Sequence, residues 1–247
     1  MIMKRIVINA DDFGKSSSVN EAILYAFQNG IINQTTIMAT DKYFDEAVII
    51  AKDNGFVNQI GLHLNLDEGE PLTENIKNVN LFCNTNGLFN RRFRSELIRS
   101  FWFDKKIRQI CQEEIIAQME KYKSIGSSLM HIDSHHHVHF KYSILSLLLP
   151  LAKEMGFKTM RLLPFYKKDT LPKRLYKNYA NGIIKKTFET VDVFVGTSKD
   201  CEGLSLNNDC SYEIMLHPDI VNGVPVDVLK RGKEYLELNK IRLLKEK

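Results

Sequence analysis

The chain has 247 residues, 44% of them hydrophobic and 26% charged, which suits one large globular domain better than two small ones. Its 34 basic and 30 acidic residues nearly cancel, so the net charge of +4 creates no strong field for a nucleic acid. No window reaches the ~18 apolar residues of a membrane span, the N-terminal apolar run is too short for a secretory signal, and the four cysteines show no paired spacing; the reading is a cytoplasmic protein in a reducing compartment, with neither nucleic acid nor membrane as partner and a homodimer left open.

Short runs rich in β-branched residues predict buried strands at Arg5–Asn9, Thr35–Ala39, Gln59–Leu64, Leu129–Asp133, Thr159–Leu163, Val191–Val195 and Glu213–Leu216. Helical spacing predicts helices at Val19–Gln28 behind a Ser17 or Ser18 cap, Phe44–Lys52, Ile107–Lys123, Ile144–Met155 and Val228–Leu244. Strand then helix, repeated, argues for parallel strands joined by crossover helices. Residues 1–247 therefore read as a single α/β domain, a (β/α) barrel that is distorted or seven-stranded, with an open doubly wound sheet as the alternative.

Residues 67–105 carry Gly, Pro and Asn punctuation without a clear period, so they predict a long excursion over one barrel mouth. Trp102, between Phe101 and Phe103, is either an aromatic plug beneath that excursion or a sugar-stacking platform. Acidic residues at Asp67–Pro71 and basic residues near Arg91 are placed to lie over the same mouth. The basic stretches Arg91–Arg94 and Lys167–Lys186 read as solvated faces, with contact to an anionic substrate group as the alternative.

Chemistry-bearing residues gather at the predicted strand ends, where loops of such folds line one crevice. Asp11 and Asp12 follow the first strand, His63 and Asn65 close the third, "HIDSHHHVH" (His131–His139) ends the fourth, Arg161 lies in the fifth and His217 closes the seventh. All the histidines except His136 lie on segments able to face one mouth. Two adjacent carboxylates in a partly desolvated crevice repel unless a cation sits nearby. A divalent metal resolves that conflict, and imidazole with carboxylate suits zinc and other first-row ions. The residues thus predict an Asp/His/His site with open positions for water and substrate. Alternation would put Asp133, His135, His137 and His139 on one side and His136 on the other. Asp11 and Asp12 both reach the site only if the chain turns at "DDFG", where Gly14 permits a turn; one then ligates and the other handles protons.

At these positions the chain resembles the YdjC-like carbohydrate deacetylase family. Ala10–Gly14 reads as its ADDFG, Gly61–His63 as its G-x-H segment, His131–His139 as its H-x-D-S-H-x-H-V-H cluster and His217–Pro218 as its late H-P motif, in the same order from Asn9 to Asp219. The resemblance implies a barrel-like α/β fold and one divalent ion, zinc or magnesium, held by Asp12, His63 and His135. It implies Asp11 as the base and His217 as the acid. Arg161 then holds Asp11 ionised or contacts substrate, with an ordinary structural salt bridge as the equal alternative, and His131, Asp133, His137 and His139 are candidates to orient the ligands, with His139 as the rival ligand. The implied reaction is metal-dependent hydrolysis of the N-acetyl group of an acetylated amino sugar or short, chitobiose-like oligosaccharide, releasing acetate. A metal-dependent phosphoesterase and a non-catalytic sugar- or metal-binding protein are the alternatives. Residues 67–105 and 164–210, which would shape a sugar site, carry no motif that aligns.

Overall fold

The computed structural model describes residues 6–96, 101–166, 169–196, 209–228 and 233–234. The first apolar run forms β1 (Ile6–Phe13), flanked in parallel by β2 (Gln34–Ile37) and β7 (Tyr212–Leu216). With β3 (Ile60–Leu64), β4 (His131–Ser134), β5 (Thr159–Met160) and β6 (Val193–Val195) they make one parallel sheet of seven strands, ordered β5-β4-β3-β2-β1-β7-β6. β5 and β6 are its two ends, yet Glu189, just ahead of β6, bridges in parallel to Thr159 of β5. Two ends that meet require a curled sheet, so the fold is the expected barrel-like α/β form and not an open doubly wound one.

Crossover helices cover the outside: α1 (Ser17–Gln28), α2 (Phe44–Asp53), α5 (Lys105–Lys123), α6 (Tyr142–Glu154) and α7 (Leu171–Thr187), with the single-turn helices α3 (Glu74–Lys77) and α4 (Arg92–Ser95) inside the excursion. Covered on both faces, the central strands read as apolar runs without alternation. β2, β3, β4 and β7 are buried throughout. The α1 cap is Ser16, not Ser17 or Ser18, because its side chain accepts from the Val19 amide at 3.1 Å. The strand expected at Thr159–Leu163 ends at Met160, although the Arg161 amide still donates to Ile132 of β4.

Three expectations fail for physical reasons. α7 is a helix that the spacing does not predict, because its apolar stripe is interleaved with lysines, although Pro172 marks its first turn. The chain leaves β7 as a hairpin of β8 (Pro218–Val221) and β9 (Val224–Asp227), and within the helix expected at Val228–Leu244 residues Lys233–Glu234 instead form β10, paired to β9. Asn222 and Gly223, both left-handed, make the hairpin's turn, an Asn-Gly signal for two-residue hairpins. Residues 229–232 and 235–244 of that expected helix lie outside the described residues. Lastly, Trp102 is 60% exposed and plugs nothing; the buried residue is Phe103, whose ring packs with Phe93 around Phe82 at 5.2–5.6 Å. The excursion is tied down from below by Glu114 of α5, which accepts from the Leu72 and Thr73 amides and the Thr73 hydroxyl. Among the described residues no helix is long and apolar enough to cross a membrane.

Candidate metal and catalytic site

The carboxyl ends of β1, β3 and β4 meet at one point. Asp11 and Asp12 are buried there, and both reach it because β1 bulges: its register against β2 shifts between Ala10 and Phe13. The residue that makes the turn is Asp12 itself, left-handed at φ 69°, a conformation aspartate tolerates better than most. Gly14 comes next but one at φ 90°, its amide donating to the buried Asn20 side chain. Gly61 of the G-x-H segment has a different reason: a Cβ there would stand 3.0 Å from His131 of the neighbouring strand.

Asp12, His63 and His135, the three residues expected to hold a metal, place ligand atoms within 4.8 Å of one another, all buried. His135 Nδ1 lies 2.8 Å and His63 Nε2 3.2 Å from the same oxygen, Asp12 Oδ1. His63 Nε2 is buried without a hydrogen-bond partner among the described residues, and two imidazole nitrogens converging on one carboxylate fit a first-row divalent ion. Electrostatics agree. Burial alone would raise the Asp12 pKa, but His135 and His63 hold it well below the ordinary value. Burial alone would lower that of His63, but Asp133 and Asp11 outweigh it and push it up to about 10. The carboxylates thus demand positive charge at this point, as protons on the imidazoles or as a bound cation.

Beneath lies a guanidinium cage. Arg161 is fully buried and donates to both oxygens of Asp11 at 2.7 and 2.8 Å, to Asp133 at 2.7 Å and to Glu213 at 2.5 Å. Burial opposes ionisation of Asp11, yet Arg161, His63 and His217 hold its pKa far below the carboxylate range. Burial pushes the Glu213 carboxyl up to about 7 despite Arg161. Asp133 links cage and metal point, its other oxygen 2.6 Å from His63 Nδ1. His217 Nε2 faces Asp11 Oδ2 at 3.8 Å.

The rest of the histidine cluster departs from alternation. His136 (φ 47°) and His137 (φ 55°) are both left-handed, so the chain coils immediately after β4 and the expected parity is lost. His136 turns to Asp67 at 3.1 Å, and His137 stacks on Phe140. His139, the rival ligand, turns away: its Nδ1 pairs with the Ser134 hydroxyl, and burial pulls its pKa down to about 3. His131 is at the opposite end of β4, bonded to Thr159, and does not face the mouth as expected.

Two site residues go beyond the sequence reading. Glu213 is a charged residue inside a buried strand run, which is itself a signal. Glu68 belongs to the acidic stretch expected over the mouth, and does lie there: its carboxylate is 2.7 Å from His135 Nε2 and 3.3 Å from Arg91. Beside these groups opens a cleft of about 420 Å³, lined by Phe101, His136, His137, Phe140, Tyr142 and Tyr176 and by Lys173 and the buried Lys177 from the basic stretch.

Comparison with known proteins agrees with this architecture. The chain is 33% identical over 224 residues to a carbohydrate deacetylase of Clostridium beijerinckii, covering 87% of this chain and 81% of that protein. It is 32% identical over 235 residues to a carbohydrate deacetylase of Thermoanaerobacter pseudethanolicus, covering 92% and 85%. A crystal structure of a provisional cellobiose-phosphate cleavage protein from Enterococcus faecalis V583 shares the fold, with a TM-score of 0.69 at 22% identity over 96% of this chain and 90% of that one. A model of the YdjC-like proteins matches residues 5–241, nearly the whole barrel with its hairpin, so the chain belongs to the YdjC-like protein family.

Proposed function

We propose that this chain is a metal-dependent hydrolase that removes the acetyl group of an N-acetylated amino sugar or short, chitobiose-like oligosaccharide. The observation that carries it is the convergence of His63 Nε2 and His135 Nδ1 on Asp12 Oδ1, and the deacetylase names of the relatives point to the same reaction. Asp12, His63 and His135 would hold one divalent ion, zinc or magnesium.

An amide is a poor electrophile and neutral water a poor nucleophile, so both need help. Asp11 would accept the water's proton, and the two hydrogen bonds from Arg161 keep it ionised and oriented. The same pairing makes Asp11 a weak base, so the water it deprotonates must itself be acidified. A divalent ion held by Asp12, His63 and His135 would supply that chemistry, making water more acidic and polarising the acetyl carbonyl. Expulsion of the amine requires a proton, and His217, whose Nε2 lies 3.8 Å from Asp11 Oδ2, would donate it. The aromatic cleft beside His136 and His137 suits the apolar face of a sugar ring, and its volume falls within the ~300–1,000 Å³ of small-molecule sites.

The test is acetate release from N,N'-diacetylchitobiose and related acetylated saccharides by protein loaded in turn with zinc, magnesium, cobalt and manganese. Acetate from at least one pairing is expected. None from any pairing would overturn the proposal.

A further inference from the structure

We infer that Glu68 is a positioning residue for His135, fixing which ring nitrogen faces the metal point; the inference rests on the metal-dependent reading above. A neutral imidazole carries one N–H and one lone pair, so an ionised carboxylate against one nitrogen assigns the N–H there and the lone pair to the other. Glu68 Oε2 lies 2.7 Å from His135 Nε2 and Asp12 Oδ1 2.8 Å from Nδ1, so once an ion beside Asp12 takes up that carboxylate's charge, the N–H stays with Glu68 and the Nδ1 lone pair is left for the ion. Asp133 does the same for His63 from the other side: it takes Nδ1 at 2.6 Å and leaves Nε2, the unpartnered buried nitrogen, facing Asp12. The two rings therefore present opposite nitrogens, His63 through Nε2 and His135 through Nδ1, each backed by its own carboxylate.

Asp133 stands on β4, but Glu68 stands on the excursion and has to be held in place. Asn65, at the end of β3, does this at both ends of the Glu68 peptide: its Oδ1 accepts from the Glu68 amide at 3.2 Å and its Nδ2 donates to the Glu68 carbonyl at 2.5 Å. Asn65 is itself fixed by Thr40 and by Gln118 of α5. Lys15 and Arg91 flank the carboxylate at 3.5 and 3.3 Å. The Arg91 pair is exposed and contributes little stability, and Lys15 is half-buried, whereas the His135 side chain is only 3% exposed. Glu68 thus points inward at the ring, and through it the excursion reaches the metal point.

The experiment is zinc titration of wild type, Glu68→Ala, Glu68→Gln and Glu70→Gln by calorimetry, together with long-range ¹H–¹⁵N spectra of the zinc-loaded wild type. Glu70 is an exposed control that pairs with Lys77. Expected are a zinc Kd weakened about 10- to 100-fold in Glu68→Ala, a smaller loss in Glu68→Gln, no change in Glu70→Gln, and a His135 ring with zinc on Nδ1 and a proton on Nε2. A Glu68→Ala Kd within about twofold of wild type, or a His135 ring with zinc on Nε2, overturns the inference while leaving the metal reading intact. A wild type that takes up no zinc, magnesium, cobalt or manganese overturns that reading, and the inference with it. The wild-type spectra need no variant to fold.

Discussion

Among the described residues, two of the buried clusters of histidine and carboxylate lie toward opposite ends of the barrel's strands. At the carboxyl end stand Asp12, His63 and His135; below them, His131, Asp133 and Glu213 also place ligand atoms within 4.8 Å of one another, beside a cavity of about 240 Å³ lined in part by Thr159 and Gln34. By residue type alone the two are near equivalents. The difference is Arg161, whose guanidinium bonds both Asp133 and Glu213 and so supplies the lower cluster with a covalently attached positive charge. Among the described residues the upper cluster has no such group on Asp12 except Lys15 at 3.3 Å, on the rim, and must draw its positive charge from its own imidazoles or an ion. A count of ligand-type residues therefore does not identify a metal site; the compensation of charge within the cluster does.

Removing a residue of the upper cluster makes the largest difference. Asp12→Ala or His63→Ala is expected to lose bound metal and at least about 10³-fold in kcat/KM for acetate release, read by elemental analysis and steady-state kinetics. In the lower cluster the expected loss is of stability. Arg161→Met leaves Asp11, Asp133 and Glu213 buried without their cation and should cost about 3–5 kcal/mol in urea denaturation; an unchanged midpoint would show that the guanidinium does not neutralise the cage.

Glu213 sharpens the contrast through pH. Its carboxyl is held at about 7 against an ordinary 4.5, so between those values the folded chain keeps a proton that the unfolded chain has released. Stability therefore falls as pH rises through that window, and Glu213→Gln should flatten the fall in a series of thermal melts. The smallest effect belongs to His131→Asn, which removes the bond to Thr159 and should cost about 1 kcal/mol without changing metal content or turnover.

The barrel was legible in the sequence because parallel strands buried on both faces must be written as short apolar runs, and seven such runs became seven strands. The gathering of Asp11, Asp12, His63 and the histidine cluster was legible for a related reason, since strand ends of this fold share one mouth; the choice of Asp12, His63 and His135 among them came from the resemblance to the YdjC-like family. Legibility stopped where the backbone left regular geometry. Alternation does not extend past Ser134, because His136 and His137 are left-handed and send successive rings to Asp67 and Phe140. Nor does His131 reach the mouth, since β4 begins there and the mouth lies at its other end. Arg161 is legible as a partner of Asp11, but its bonds to Asp133 and Glu213 join residues far apart in the chain, which no local period records.

The most direct test is metal stoichiometry in three proteins side by side, the wild type, Asp12→Ala and His131→Asn, each saturated with zinc and desalted before elemental analysis. The account predicts one ion per chain in the wild type and in His131→Asn, and none in Asp12→Ala. An ion retained by Asp12→Ala, or lost from His131→Asn, would contradict it.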